Sequence, residues 1–261
     1  MSKLLTSAIT ESITYLSDKY DLLPSMHFGG CPGCTTTDAM HYMVQNIKHA
    51  WCNKKVVSAL FLDIEGAFPH ANTDCLIHDT CMRRFPTELA HFIESSMSDH
   101  STVLKFDDYT SLPISIDSGI GQGDLPSMPY YTVFNSGLIE VARGPNKKAI
   151  AFVDNTVYLA IGPNFEDTHA ILQDMLLCPK GALDWAKTHN SSFKFLKLAL
   201  VDFTRSSSKA ATSSPLQLPT VLVPLSPSTR YLGIFFDQCL SWKMQHLNAT
   251  RKGTSYVSTL C

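Results

Sequence analysis

The stretch AIAFVDNTVYLAIG, residues 149–162, climbs through apolar residues to Asp154 and descends through apolar residues again. This pattern predicts two buried strands joined by a tight hairpin, with Asp154 lifted to its tip and Asn155 beside it. A second run, VVSALFLD, residues 56–63, is nearly continuous in apolar residues and also ends in an acid, Asp63. A strand covered on both faces reads this way.

Around these strands the order is mixed α and β. Helical periodicity runs from Leu4 to about Tyr20 and stops before Pro24. A second helix is expected from the Thr35-Thr36-Thr37-Asp38 cluster, a good N-cap region, to about Trp51. Helices are also expected over 73–84, 87–97, 127–141 and 165–189, the last interrupted at Pro179-Lys180-Gly181. TVLKFDDYTSLPISID predicts a β-hairpin turning at Asp107 to Ser111, and LKLALVDF a strand. The Ser/Thr/Pro-rich stretch 204–220 reads as a linker or flexible loop, and RYLGIFFDQCLSW, ending at Trp242, as the last ordered piece.

Composition bounds the function. The chain has 261 residues, 44% of them hydrophobic, enough for a sizeable core. Lys and Arg number 21 against 23 Asp and Glu, a net charge of −2, so any surface for a polyanion must be local. No apolar run approaches the roughly 20 residues of a membrane span, and the reading is a soluble, intracellular protein of nucleus or cytoplasm without a secretion signal. Eight scattered cysteines do not suggest a disulfide framework.

Two rigid strands that each deliver an aspartate could form a two-metal phosphoryl-transfer site, with hard Mg²⁺ ions about 3.5–4 Å apart on carboxylate oxygens. The alternative is that each is an ordinary residue at a strand end. Further along, the glycines of GIGQGD permit close backbone approach to a ligand, or simply a turn before a helix. Asp107-Asp108 reads as the polar turn of its hairpin. Cys31-Pro32-Gly33-Cys34 is half of a zinc pattern, and Cys52, Cys75, Cys81, His27 and His41 offer no recognisable second half.

Taken together, ALFLDIEGAFPHANTDCLIH, GIGQGDLPSMPYYTVFN, AFVDNT, HNSSFKFLKLALVDF and RYLGIFFDQCLSWKMQH, with LLPSMHFGGCPGCTTTDAMHYMV before them, resemble in order and spacing the motifs of reverse transcriptases from non-LTR (LINE-like) retrotransposons. The resemblance covers roughly residues 20 to 250. It implies an α+β fold of the polymerase palm type, an antiparallel sheet backed by helices, with partial fingers in 1–54, the palm in 55–203, and a loop, a primer-gripping hairpin and a truncated thumb start in 204–261. It implies RNA-directed DNA polymerase activity, with an RNA template, a DNA primer and dNTPs as partners, no membrane, and two Mg²⁺ ions, Mn²⁺ being the alternative.

Residue by residue, the resemblance makes Asp63 and Asp154 the metal ligands, with the carbonyl of Ile64 beside Asp63. Phe68 would lie under the nucleotide sugar and exclude a 2′-hydroxyl; a core Phe is the alternative. Gly121, Gln122 and Gly123 would bind nucleotide or template, Lys197 would approach the leaving pyrophosphate with Lys187 and Lys194 as rivals, and Leu232 and Gly233 would turn the primer grip. Glu65 is expected to be a solvated neighbour. The chain departs from the family where Leu125-Pro126 reverses the usual order, where Cys31 and Cys34 replace arginines, and where Asn155 replaces a second aspartate. Each of the last three replacements needs one C-to-T or G-to-A transition. The expectation is a degenerate fragment of doubtful activity, with a noncatalytic nucleic-acid-binding remnant, or a metal-binding module on Cys31 and Cys34, as alternatives.

Overall fold

The threonine cluster does start a helix: Thr35 accepts from the Asp38 amide while the Asp38 carboxylate accepts from the Thr35 amide, a reciprocal capping box. The computed structural model describes residues 2–98, 100–116, 118–121, 123–210, 212–219 and 221–260. In chain order, α1 (Ser2–Tyr20) and α2 (Thr36–Cys52) precede β1 (Val56–Asp63), which is followed by α3 (Thr73–Met82) and α4 (Thr87–Met97). The short strands β2 (His100–Thr102), β3 (Lys105–Phe106), β4 (Tyr109–Thr110) and β5 (Ile114–Ile116) come next, then α5 (Ser127–Glu140). The hairpin β6 (Lys147–Phe152) and β7 (Asn155–Gly162) leads to α6 (Phe165–Leu177), α7 (Ala182–Thr188) and β8 (Ala199–Phe203). The remainder is α8 (Ser207–Ala210), β9 (Leu216–Gln217), β10 (Leu222–Val223), β11 (Ser228–Tyr231), β12 (Ile234–Asp237) and α9 (Lys243–Leu260).

The central sheet is antiparallel, in the order β6-β7-β1-β8. Because side chains alternate along a strand, β1 feeds two cores. Leu60 and Leu62 pack on one face with Tyr158 and with Tyr131, Phe134 and Leu138 of α5. Val57, Ala59 and Phe61 pack on the other face with Met43 and Ile47 of α2 and with Tyr231 and Phe236 of the β11–β12 hairpin. Helix α5 is buried almost all round, which is how a helix running through a core reads. Its first residue is Ser127, with Pro126 at the cap position, so the Leu125-Pro126 order still allows a helix start at the expected place.

The structure departs from the sequence reading in three segments. The stretch 204–220 carries α8 and β9, and Leu216 and Leu218 are buried in the main core, so isolated leucines anchor a segment whose overall composition is polar. After Trp242 comes the helix α9, whose polar, largely exposed sequence has no apolar stripe for a periodicity reading to find. Within LKLALVDF only Ala199–Phe203 is strand; Phe195–Lys197 form a single 3₁₀ turn before it. No helix among the described residues is long and apolar enough to cross a membrane.

Candidate active site at the end of the central sheet

The last pair of the β1–β7 ladder is Asp63 opposite Asn155. Residue 154 is the second of two residues joining β6 to β7, so the ladder brings Asp63 and Asp154 to the same end of one sheet. The hairpin turn is strained. Val153 has φ 58°, and a β-branched residue in that region costs about 1–3 kcal/mol unless its surroundings fix it. Positive φ at the first turn position and not the second is the type II′ pattern, whose twist matches that of the flanking strands.

Two elements hold this turn. From the buried helix α5, Asn135 Nδ2 donates to the Val153 carbonyl at 2.6 Å. From the other side, residues 26–30 lie along the edge of β6: Phe28 N donates to Ala151 O at 2.8 Å, and Ala151 N to Met26 O at 3.0 Å. Gly29 then meets the turn so closely that a Cβ there would be 2.4 Å from Val153 N. Thr132 Oγ1, also on α5, lies 3.0 Å from Gly29 O and 2.9 Å from Met128 O of its own helix, so its one proton is shared between the two supports. Beneath them His27 is fully buried; its Nδ1 bonds Gly29 O at 3.0 Å and its Nε2 has no partner among the described residues.

At the tip, Asn155 is exposed and its Nδ2 donates to Asp154 Oδ1 at 3.0 Å. The Asp63 carboxylate draws two cations: Lys197 Nζ at 3.1 Å from Oδ2 and Lys194 Nζ at 3.7 Å from Oδ1. Backbone pairing puts them there. Beyond β1, Ile64 pairs with Phe193, Lys194 N donates to Asp63 O at 2.9 Å, and Glu65 N donates to Ser192 O at 2.8 Å. The segment carrying both lysines is thus laced to the strand carrying the acid. Lys187, the other rival, sits in the last turn of α7 and makes no ion pair among the described residues. Glu65 is exposed and accepts from Ser192 Oγ at 3.0 Å.

Phe68 is half-buried and stacks on Tyr131 with ring centroids 4.7 Å apart. Burial, with the charge of Asp154 as a lesser cause, pushes the Tyr131 hydroxyl far above its ordinary range, and that hydroxyl has no partner among the described residues. The glycine loop is pinned beside Phe68: Ile120 N donates to Phe68 O at 2.8 Å and Gly119 N to Ala71 O at 3.0 Å. Gly119 needs to be glycine, since φ is +105° and a Cβ would meet Pro69 O at 2.7 Å. Gly121 and Gly123 are exposed on this loop; Gln122 lies outside the described residues.

Leu232 and Gly233, with φ of 47° and 90°, form the two-residue turn between β11 and β12, the type I′ pattern. Tyr231 of that hairpin contacts Phe61, two residues before Asp63, at 5.5 Å between centroids. Asp107 and Asp108 form the turn of the exposed β3–β4 hairpin, a tighter turn than the expected Asp107 to Ser111. Cys31 and Cys34 are free thiols; Cys31 donates to His27 O at 3.0 Å, and burial raises its pKa. Among the described residues no group of three or more His, Cys, Asp or Glu is placed to hold a metal ion.

The sequence reading missed the supports of the turn: Asn135, Gly29, Thr132 and His27. Asn135 did carry a signal, the one amide side chain in a helix that is buried almost all round.

No protein family model matches the chain. It is 25% identical over 264 residues to the probable RNA-directed DNA polymerase from transposon BS of Drosophila melanogaster, an alignment covering 97% of this chain and 28% of that protein. It is 23% identical to the probable RNA-directed DNA polymerase from transposon X-element of the same fly, covering 93% of this chain and 26% of the relative. A third relative, the RNA-directed DNA polymerase from mobile element jockey, is also 23% identical, over 95% of this chain and 27% of its own length. The chain thus spans about a quarter of each of these relatives. Among solved structures, apo telomerase from Candida tropicalis matches with a TM-score of 0.60 at 11% identity, covering 89% of this chain and 39% of that one. Telomerase from the same yeast in complex with a fragment of telomeric RNA matches with the same TM-score over 35% of its length. Identity that low shows a shared fold and no more. The chain is thus similar over nearly its whole length to part of the RNA-directed DNA polymerases of Drosophila transposons, the enzyme class that its motifs resemble.

Proposed function

We propose that this chain is the palm-bearing part of an RNA-directed DNA polymerase, adding deoxynucleotides to the 3′ end of a primer paired with an RNA template. One observation carries the reading: the pairing of Asp63 with Asn155, which sets Asp63 and Asp154 at one sheet end with Lys197 against Asp63. In this reading 1–54 are partial fingers, 55–203 the palm, and 204–261 the primer-gripping hairpin and thumb start.

The donor chemistry at that end suits a hard divalent cation: Asp63 and Asp154 with the Ile64 carbonyl would hold Mg²⁺, or Mn²⁺ in its place. Such ions, when bound, supply Lewis-acid activation of the primer hydroxyl and neutralise the departing pyrophosphate. The chain's own residues do the rest. Lys197, already drawn to the acidic end, offers positive charge to the leaving group, and Phe68, backed by Tyr131, forms a flat wall under the sugar. Gly121, Gln122 and Gly123 let template and nucleotide approach the backbone. The turn at Leu232 and Gly233 aims the primer, where an error of about 1 Å can cost ~10²-fold in rate.

Asn155 weakens the site in two ways. It lacks the charge of a carboxylate, and its amide occupies one of the Asp154 oxygens. That contact favours a second reading, a nucleic-acid-binding remnant without catalysis. Extension of a primed RNA template in Mg²⁺ and in Mn²⁺ separates the two. The Asn155→Asp variant should extend better than the parent, and Asp63→Asn should abolish extension. If the Asn155→Asp variant still fails to extend while the parent binds primed template, the second reading stands.

A further inference from the structure

At the opposite end of the central sheet is a cavity of about 550 Å³, lined by Lys48, Lys54, Lys55, Arg205 and Lys209 around Trp51. Among the described residues no carboxylate lines it. In a chain of net charge −2 that is a marked local concentration of positive charge, and none of the five cations pairs with an acid among the described residues. Like charges gathered without counterions repel one another, so the arrangement is most stable with an anion in it.

The cavity is built, not a chance scatter of lysines. The Trp51 indole is fixed by its Nε1 donating to Phe203 O at 3.1 Å, and the Arg205 guanidinium lies 4.9 Å from the ring centroid. Lys209 Nζ donates to Lys54 O at 3.0 Å and Pro163 O at 3.1 Å, which holds its charge at the cavity wall. The lining comes from the end of α2 with the loop into β1, and from the segment after β8. Asp63 is at the far end of β1, about 23 Å away at ~3.3 Å per residue.

We propose that this cavity is a second nucleic-acid site, which takes the phosphate backbone of a single strand with Trp51 and Arg205 as its stacking platform. Cations that track a backbone beside an aromatic ring are how single strands are held without sequence preference, and five charges exceed what one phosphate group can engage. The site is independent of any polymerase role for Asp63 and Asp154.

The test is fluorescence anisotropy of the whole chain with short labelled oligouridylate and oligothymidylate across a salt series. A Lys48→Glu/Lys54→Glu/Lys55→Glu variant changes exposed side chains only, and its thermal melt checks that it folds. It should lose at least about tenfold in affinity at low salt. Its log–log salt slope should fall by about 2, at ~0.7 for each phosphate that is no longer neutralised. Lys197→Ala, at the other end of the sheet, should leave this binding in place even if primer extension fails in every protein. Unchanged affinity and slope in the triple variant would overturn the proposal. So would absence of binding by the parent at low salt, or displacement of the oligonucleotides by equimolar inorganic triphosphate, which would mark a small-anion site.

Discussion

Acid should loosen the strap under the hairpin through His27. Burial drives the pKa of His27 from its ordinary 6.5 down to about 4, with the nearby charge of Arg83 adding to the effect and the bond to Gly29 O opposing it. The folded chain therefore keeps His27 neutral where the unfolded chain protonates it. Between those two values the unfolded state binds more protons, so stability rises with pH in that window and is lost as pH falls through it. At ~1.4 kcal/mol per unit, lowering the pH from 7 to 4.5 should remove about 2–3 kcal/mol through this group alone. Urea unfolding at both pH values, on the parent and on a His27→Gln variant, isolates the contribution, because the variant keeps every other acid-sensitive group. Equal acid losses in the two proteins would refute the reasoning, as would an NMR titration of His27 with a midpoint near 6.5. The consequence reaches the site: His27 belongs to the segment that pairs with Ala151 and brings Gly29 against Val153.

Three further outcomes follow from the same geometry. Gly29→Ala puts a methyl 2.4 Å from the Val153 backbone, so it should cost about 1–3 kcal/mol in thermal or urea unfolding and reduce any primer extension; an unchanged protein would mean that the strap lies farther from the turn. Asn135→Ala removes the donor to the Val153 carbonyl and should cost about 1–3 kcal/mol by urea titration. Asp202 is fully buried on β8, where it accepts from Ser58 Oγ at 2.6 Å and bonds His169 Nε2 at 3.0 Å. Asp202→Ala leaves both groups without this partner, and a loss of about 3–5 kcal/mol is expected from denaturant curves, whereas a loss below 1 kcal/mol would show that the network carries little stability.

Much of the fold was legible because it rests on local patterns. The apolar run Val56–Asp63 gave β1 with its observed limits, and Thr35 with Asp38 gave the start of α2. Segments whose order comes from distant contacts were not legible. Leu216 and Leu218 look incidental within a Ser/Thr/Pro-rich stretch until the core closes over them. Helix α9 has no apolar face to announce it. At the site, Asp63 and Asp154 could be picked out as acids at strand ends, but only the resemblance set Lys197 ahead of Lys187 and Lys194, and it took the pairing of Ile64 with Phe193 to bring Lys194 and Lys197 to Asp63.

Residue identity and short-range period were enough to bound β1, to place the hairpin around Asp154, to pick out the acids at their ends, and to say that residue 155 is an amide. That Asp63 faces Asn155, that Asn135 and Gly29 brace the Val153 turn, and that cations from two segments, 48–55 and 205–209, share one cavity with Trp51 emerged with the folded chain alone. Those are choices of register and of packing between segments far apart along the chain, and no local pattern specifies a partner that distant.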